Sequence, residues 1–234
     1  MELDADIDLL RGIATTRAIR RYSDQPVTDD ELATILWHAS RGPTGSNRQG
    51  FRFLVWRDDE RSVAAKRLIG DGARSAWSHK RSRDGYDEGS GVVDDSPKAR
   101  MARTMEAYVE SIDRAPVVIL PCLHRHRERN DYEGASVYPA VQNLLLAARA
   151  IGLGGVLTIW HAMVEDELRS LLEIPDDVFV AGTITLGHPA GNHGPVRRRP
   201  LGELVYEGGW GNEAVWAVDP PGTRHTSAGP PASA

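Results

Sequence analysis

Hydrophobic positions fall into a run of alternating helical and extended patterns. Leu32, Ile35, Leu36 and Ala39 recur at i, i+3, i+4 and i+7, the spacing of one helix face, with Thr28 and Glu31 placed to form a capping box before them. Gly42-Pro43 stops that pattern, so a helix is predicted over 28–41. Phe51–Trp56 is aromatic and β-branched and predicts a strand, and residues 60–69 predict a short helix. Met101, Met105, Tyr108, Val109 and Ile112 give a second helical stripe, and Val117–Leu123, apolar on both faces, predicts a buried strand. The broadest apolar helix is predicted over 137–151, through Val141, Leu144, Leu145, Ala148 and Ile151, and Gly152 closes it. A strand near 155–160, a helix near 164–173 stopped by Pro175, and a strand over 178–186 follow.

Four strands interleaved with about five helices predict an α+β (mixed α/β) fold. One domain is expected over 1–216, with a polar, exposed insertion or flap at about 78–100, followed by a Pro/Gly-rich tail over 217–234. The 137–151 helix is apolar around more of its circumference than a surface helix needs. Burial in a large domain and a place in a subunit interface both account for that.

Charge and composition narrow the chemistry. Of 234 residues, 41% are apolar, enough for a sizeable core, and 28 basic against 33 acidic residues give a net charge of −5. That balance argues against nucleic-acid and membrane-surface partners, which select basic proteins. The single cysteine, Cys122, excludes an intrachain disulfide framework and a cysteine-rich metal site. The acidic opening MELDADIDLL lacks a secretory pattern, and the apolar run at 115–123 is too short to span a bilayer, so a cytoplasmic protein is expected.

No G-x-G-x-x-G follows a strand, and no P-loop, H-E-x-x-H or G-x-S-x-G occurs. His124 and His126 form an H-x-H, but the arginines around it oppose a cation, so no metal is expected. His161 and Glu165 stand at i, i+4 and read as a surface pair.

The cations are unevenly placed. Arg17, Arg20 and Arg21 cluster near the start and Arg197, Arg198 and Arg199 near the end. Two such clusters repel unless an anion lies between them, and arginine offers bidentate donors to phosphate. Between the first helix and first strand lies Gly42-Pro43-Thr44-Gly45-Ser46-Asn47-Arg48-Gln49-Gly50-Phe51-Arg52-Phe53. Its amides can read a flat heterocycle that alternates donors and acceptors.

These segments together resemble the FMN-dependent nitroreductase family, most closely its actinobacterial branch, over about residues 9–206. The resemblance rests on T-R-A-I-R-R-Y at 16–22, the amide loop, Gln142-Asn143-Leu144-Leu145 through Gly154, Ile174-Pro175, Thr185-Leu186-Gly187-His188-Pro189-Ala190, and Arg198-Arg199-Pro200-Leu201. It implies a central mixed sheet flanked by helices in an intertwined homodimer, with two FMN sites shared between subunits. Arg17, Ala18, Arg20 and Arg198 would hold the phosphate, the ribityl chain and the N1/O2 edge of the flavin. Pro43, Thr44, Gly45, Ser46, Asn47 and Gln49 would reach the isoalloxazine from the partner subunit. The backbone at Leu157, Thr158 and Ile159 would face flavin N5. The chemistry would rest on the flavin, so no catalytic side chain is expected.

The implied activity is reduction of nitroaromatic, quinone or similar acceptors by alternating half-reactions, with NADPH or NADH as hydride donor. Arg81, Arg83, Arg100 and Arg103 would offer partners for a 2′-phosphate. A flavin-storage or sensing protein, and a flavin-dependent dehalogenase or flavin-fragmenting enzyme, are the alternatives on the same fold. The sequence departs from the family at Thr16 and Ala18, where an arginine and a serine are common, and at Gly50-Phe51 and Ile159-Trp160. Trp160 either narrows the flavin pocket or packs in the core.

Overall fold

The computed structural model describes residues 7–191 and 196–226, in two compact units, Met1–Asn192 and His193–Ala234. The first unit carries α1 (Leu9–Thr15), α2 (Asp29–Ala39), β1 (Phe51–Trp56), α3 (Glu60–Arg83) and α4 (Pro97–Val109). It continues with β2 (Val117–His124), α5 (Tyr138–Ala150), β3 (Gly154–Thr158), α6 (Glu165–Leu172), β4 (Val178–Val180) and β5 (Thr183–Gly187). The strands form one sheet in the order β1-β2-β5-β3, with β4 also paired to β2, and every described pairing is antiparallel. The α+β class expected from the alternating pattern is the class observed.

β2 explains why its sequence is apolar throughout. Val118, Leu120 and Cys122 face a core shared with α3, α4 and α6. Val117 and Ile119 face the opposite core, with Leu32 and Ile35 of α2 and Val141, Leu144 and Ala148 of α5. Successive strand residues point to opposite faces, so a strand covered on both sides has no polar positions.

Several boundaries differ from the sequence reading. The expected strand over 178–186 is two strands. Pro121 of β2 has no N–H to give to the ladder, and the register shifts by one residue between the Cys122–Val180 and Ile119–Ile184 pairs. Ala181 N–H instead donates to Pro121 O at 2.8 Å.

α3 runs well past the expected end at 69, because Ile69, Ala73 and Trp77 continue a buried stripe every four residues. Residues 78–83 of the expected insertion are therefore its last turns, and 97–100 begin α4. Gly72 lets α3 approach the turn after β3: a Cβ there would lie 3.2 Å from Trp160 O. α1 was not foreseen, since Leu9, Leu10 and Ile13 are exposed and leave no buried stripe to read.

The second unit contains a 3-10 turn at Leu201–Glu203, and its Tyr206 and Trp210 rings lie 5.2 Å apart. The expected boundary at 216/217 falls inside this unit. Among the described residues, no helix is long and apolar enough to cross a membrane.

Candidate functional site

The site starts from the extended segment after α1, which is stapled to the sheet. Ile19 N–H donates to Gly155 O at 3.0 Å, Ser23 N–H to His188 O at 2.9 Å, and Ala190 N–H to Arg21 O at 3.0 Å. The first staple needs glycine, since a Cβ at Gly154 would stand 2.4 Å from Ile19 Cγ1. Tyr22 adds a side-chain staple: its hydroxyl lies 2.8 Å from Ile19 O, 2.9 Å from Thr185 O and 2.7 Å from Thr185 Oγ1.

Arg20, held between these anchors, has its guanidinium carbon 5.9 Å from the centroid of the Tyr108 ring. Its Nε is buried and has no hydrogen-bond partner among the described residues. Burial pulls the Arg20 pKa down; Tyr108 and Tyr22 oppose that, and the neighbouring charge of Arg17 adds to it. A cleft of about 710 Å³ opens beside Arg20, walled by Tyr22, Tyr108, Arg57 and Arg114. Arg17 is exposed, and Ala18 is half-buried against the core.

Tyr108 ties Arg20 to the end of β3. It comes from α4, and its hydroxyl lies 3.0 Å from the Oγ1 of Thr185, which pairs with Val156 of β3. Burial pushes its pKa up to about 12, so it stays a neutral phenol. Thr158 donates through Oγ1 to Thr183 O at 3.1 Å. Leu157 is half-buried and Ile159 is 68% exposed, so the β3 end presents backbone beside an apolar side chain. Trp160, of the two roles open to it, packs against the core, with its indole N–H buried and unpartnered. Among the expected residues, therefore, Arg20 is linked towards β3 through Tyr108 and Thr185, which pairs with Val156 in the sheet.

The amide loop is a second, separate set. Gly42 lets it leave α2 flush against α5, where a Cβ would lie 2.6 Å from Ala140 N. Ser46, Asn47 and Gln49 all take positive φ (51°, 52° and 51°), a cost of about 1–3 kcal/mol each in non-glycine residues. Internal bonds hold this shape: Gln49 N–H donates to Thr44 Oγ1 at 3.0 Å, Gln49 Nε2 to Asn47 Oδ1 at 3.1 Å, and Gly45 N–H to Ser136 Oγ at 3.3 Å. Pro43, Gly45, Ser46, Asn47 and Gln49 are exposed. Among the described residues no hydrogen bond or ion pair joins this loop to Arg20.

Arg198 belongs to the second unit, where it is exposed, bridges to His225 and accepts from Thr226 N–H at 3.0 Å.

Two expectations change. His161 and Glu165 are not a surface pair. His161 is buried, its Nδ1 lies 3.2 Å from Thr183 Oγ1, and burial lowers its pKa, while Glu165 pairs with Arg169 at 2.7 Å. Helical spacing misled because His161 sits in a 3-10 turn before α6. The arginines offered to a 2′-phosphate are already engaged. Arg81 pairs with Asp87 and Glu106, Arg83 with Asp84, and Arg103 with Asp95, and Arg100 bonds the Asp95 carbonyl. His124 of the H-x-H pairs with Asp177 at 2.9 Å, and no cluster of metal-ligating side chains occurs among the described residues.

Tyr108 and Thr185 are the residues that sequence reasoning missed. Both lay inside apolar runs, and their hydroxyls at otherwise apolar positions were the available signal.

Comparison with known proteins places this geometry. The nitroreductase family model matches residues 13–188, which include the Arg20 segment, the amide loop and the β3 end. A Methanothermobacter thermautotrophicus protein named as an NADH dehydrogenase/NAD(P)H nitroreductase is 27% identical over 193 residues, covering 80% of this chain and 81% of its own. A nitrobenzene nitroreductase from Ectopseudomonas oleovorans is 26% identical over 218 residues, covering 86% and 93%. A Desulfovibrio desulfuricans nitroreductase crystallised with FMN superposes with a TM-score of 0.63 at 30% identity, covering 86% of this chain and 97% of that one. With most of its length matched by the family model and its fold shared with that solved structure, the chain belongs to the nitroreductase family.

Proposed function

We propose that this chain is an FMN-dependent NAD(P)H oxidoreductase that reduces flat, electron-poor acceptors such as nitroaromatics and quinones. It works as a homodimer, in alternating half-reactions, in the cytoplasm. The observation that carries the reading is Arg20: a half-buried cation, its segment stapled to the sheet, whose Nε is buried and has no partner among the described residues. A buried unsatisfied donor on a charged group is costly, and its persistence calls for a ligand acceptor.

The residues present fit FMN. Arg20 would hold the N1/O2 edge, where negative charge grows on reduction, and so raise the flavin's potential. Arg17 would hold the phosphate. Backbone at Leu157–Ile159 would face the N5 edge, with the exposed Ile159 shielding it from water. When bound, the flavin supplies the two-electron chemistry between nicotinamide and acceptor. No protein nucleophile would then be needed.

The amide loop supports the dimer. It is strained, internally fixed and exposed, and it stands apart from Arg20 within one chain. Strain of that kind persists where structure is kept for a function. A second copy would bring Thr44, Asn47 and Gln49 to the flavin held by the first. Exposed Leu9, Leu10 and Ile13 of α1 and Trp37 of α2 offer apolar surface for such a partner.

The test is anaerobic addition of NADPH to the FMN-loaded protein. Rapid bleaching, reversed by a nitroaromatic, supports the proposal. A protein that binds no FMN overturns it, and a yellow protein that NADPH cannot reduce would be a flavin-binding protein without turnover.

A further inference from the structure

Two cations beside the amide loop lack the carboxylate partners that many arginines of this chain have. Arg74, Arg81, Arg83 and Arg103 each have a carboxylate partner. Arg48, within the loop, and Arg127, in the turn after β2, form no ion pair with a carboxylate among the described residues. They nevertheless stand near one another, since both line the same cavity as His126. Desolvation lowers the His126 pKa first, and the charges of Arg48 and then Arg127 lower it further.

All three residues line one cavity of about 30 Å³, which continues onto Thr44, Asn130 and Ser136. The carboxylate in that lining, Glu133, is already held through both oxygens by Arg125, at 2.7 and 3.0 Å. It does not neutralise the other two. Such a volume is enough for a carboxylate or phosphate oxygen.

We propose that this cavity is an anion subsite, taking the charged group of a ligand bound beside the amide loop. It deepens the function proposed above and rests on it: the acceptors selected carry a carboxylate or other acidic substituent. Two unpaired guanidiniums gathered in a polar cleft repel each other, and an anion between them removes that repulsion while accepting bidentate hydrogen bonds. Ser136 and Thr44 hydroxyls and the Asn130 amide complete a polar wall around it. The same chemistry would suit the 2′-phosphate of NADPH, so the two sources need separate arms in the test.

Binding of 4-nitrobenzoate and of neutral 4-nitrobenzamide to the purified oxidised protein is measured by titration calorimetry at low salt, and NADPH is compared with NADH in parallel. The wild type should bind the acid about tenfold more tightly than the amide, as a charge-assisted hydrogen bond implies. In R48Q and R127Q that preference should fall below about threefold with amide binding unchanged, and in the double lysine variant, which keeps the charge but loses the fork, it should be retained only in part. A preference confined to NADPH over NADH, lost in the same variants, assigns the subsite to the nucleotide phosphate. Overturning results are a wild type with no preference in either pair, or a preference that survives both glutamine substitutions. The readout is binding rather than turnover, so a colourless protein that fails to take up FMN is recognised separately as failure of the flavin reading.

Discussion

Arg20 and Tyr108 form one unit: the guanidinium carbon sits 5.9 Å from the centroid of the ring whose own hydroxyl is fixed by Thr185 Oγ1 at 3.0 Å. The ring aims the cation, and the hydroxyl aims the ring. Replacing Tyr108 by Phe keeps the ring and should lower stability by about 1 kcal/mol, the net worth of one hydrogen bond, with FMN affinity little changed. Replacing it by Leu removes the platform and should weaken FMN binding about fivefold, the scale of a partly buried cation–π contact. Flavin fluorescence titration with parallel urea unfolding separates the two effects.

Arg20 predicts an inversion between stability and binding. Its Nε is buried without a partner among the described residues, so in the FMN-free protein the charge is a burden rather than a support. Arg20→Met should leave the FMN-free protein at least as stable as wild type. The same substitution should cost tenfold or more in FMN affinity, for loss of a hydrogen bond from a charged donor worth about 1.5–3 kcal/mol. Thermal unfolding with and without FMN reads both halves.

The loop predicts a gain of stability from losing a side chain. Ser46 holds φ 51°, a conformation glycine reaches freely. Ser46→Gly should therefore stabilise the FMN-free protein by up to about 1 kcal/mol, or about 2–4 °C in Tm. No gain in Tm would show that the loop is not strained in solution.

His161 predicts a pH dependence. Its pKa is lowered from the ordinary 6.5, first by burial and then by Arg169, with Glu165 and a bond to the Val180 carbonyl opposing. Below about pH 6.5 the unfolded chain takes up this proton and the folded chain resists, so stability falls as pH falls through that window. His161→Gln should be less stable at neutral pH, for loss of the ring's bonds to Thr183 and Val180, yet show a flatter stability profile between about pH 7 and 5. Urea unfolding across that range measures the slope.

Much of the fold was legible because local signals agreed. Thr28 and Glu31 form the capping box the sequence predicts, with Thr28 N–H donating to Glu31 Oε2 at 2.8 Å, and β1 runs over Phe51–Trp56 as expected. The break between β4 and β5 was not legible, because it depends on Pro121 in a strand remote in sequence. The length of α3 was hidden by its charged outer face, which masked the one-in-four rhythm of Ile69, Ala73 and Trp77. Within the site, Arg20 and the amide loop stood out as clustered chemistry. Tyr108 did not, since a phenol in a helical stripe looks like core until its neighbours are known.

The central claim, that Arg20 and its neighbours form an FMN site for nicotinamide-driven reduction, is tested most directly by anaerobic titration of the FMN-loaded protein with NADPH. The account predicts stoichiometric loss of the flavin's visible absorption, restored by one nitroaromatic or quinone equivalent, and much weakened FMN retention in Arg20→Met. A chain that binds no FMN, or an Arg20→Met variant that binds it as tightly as wild type, would contradict it.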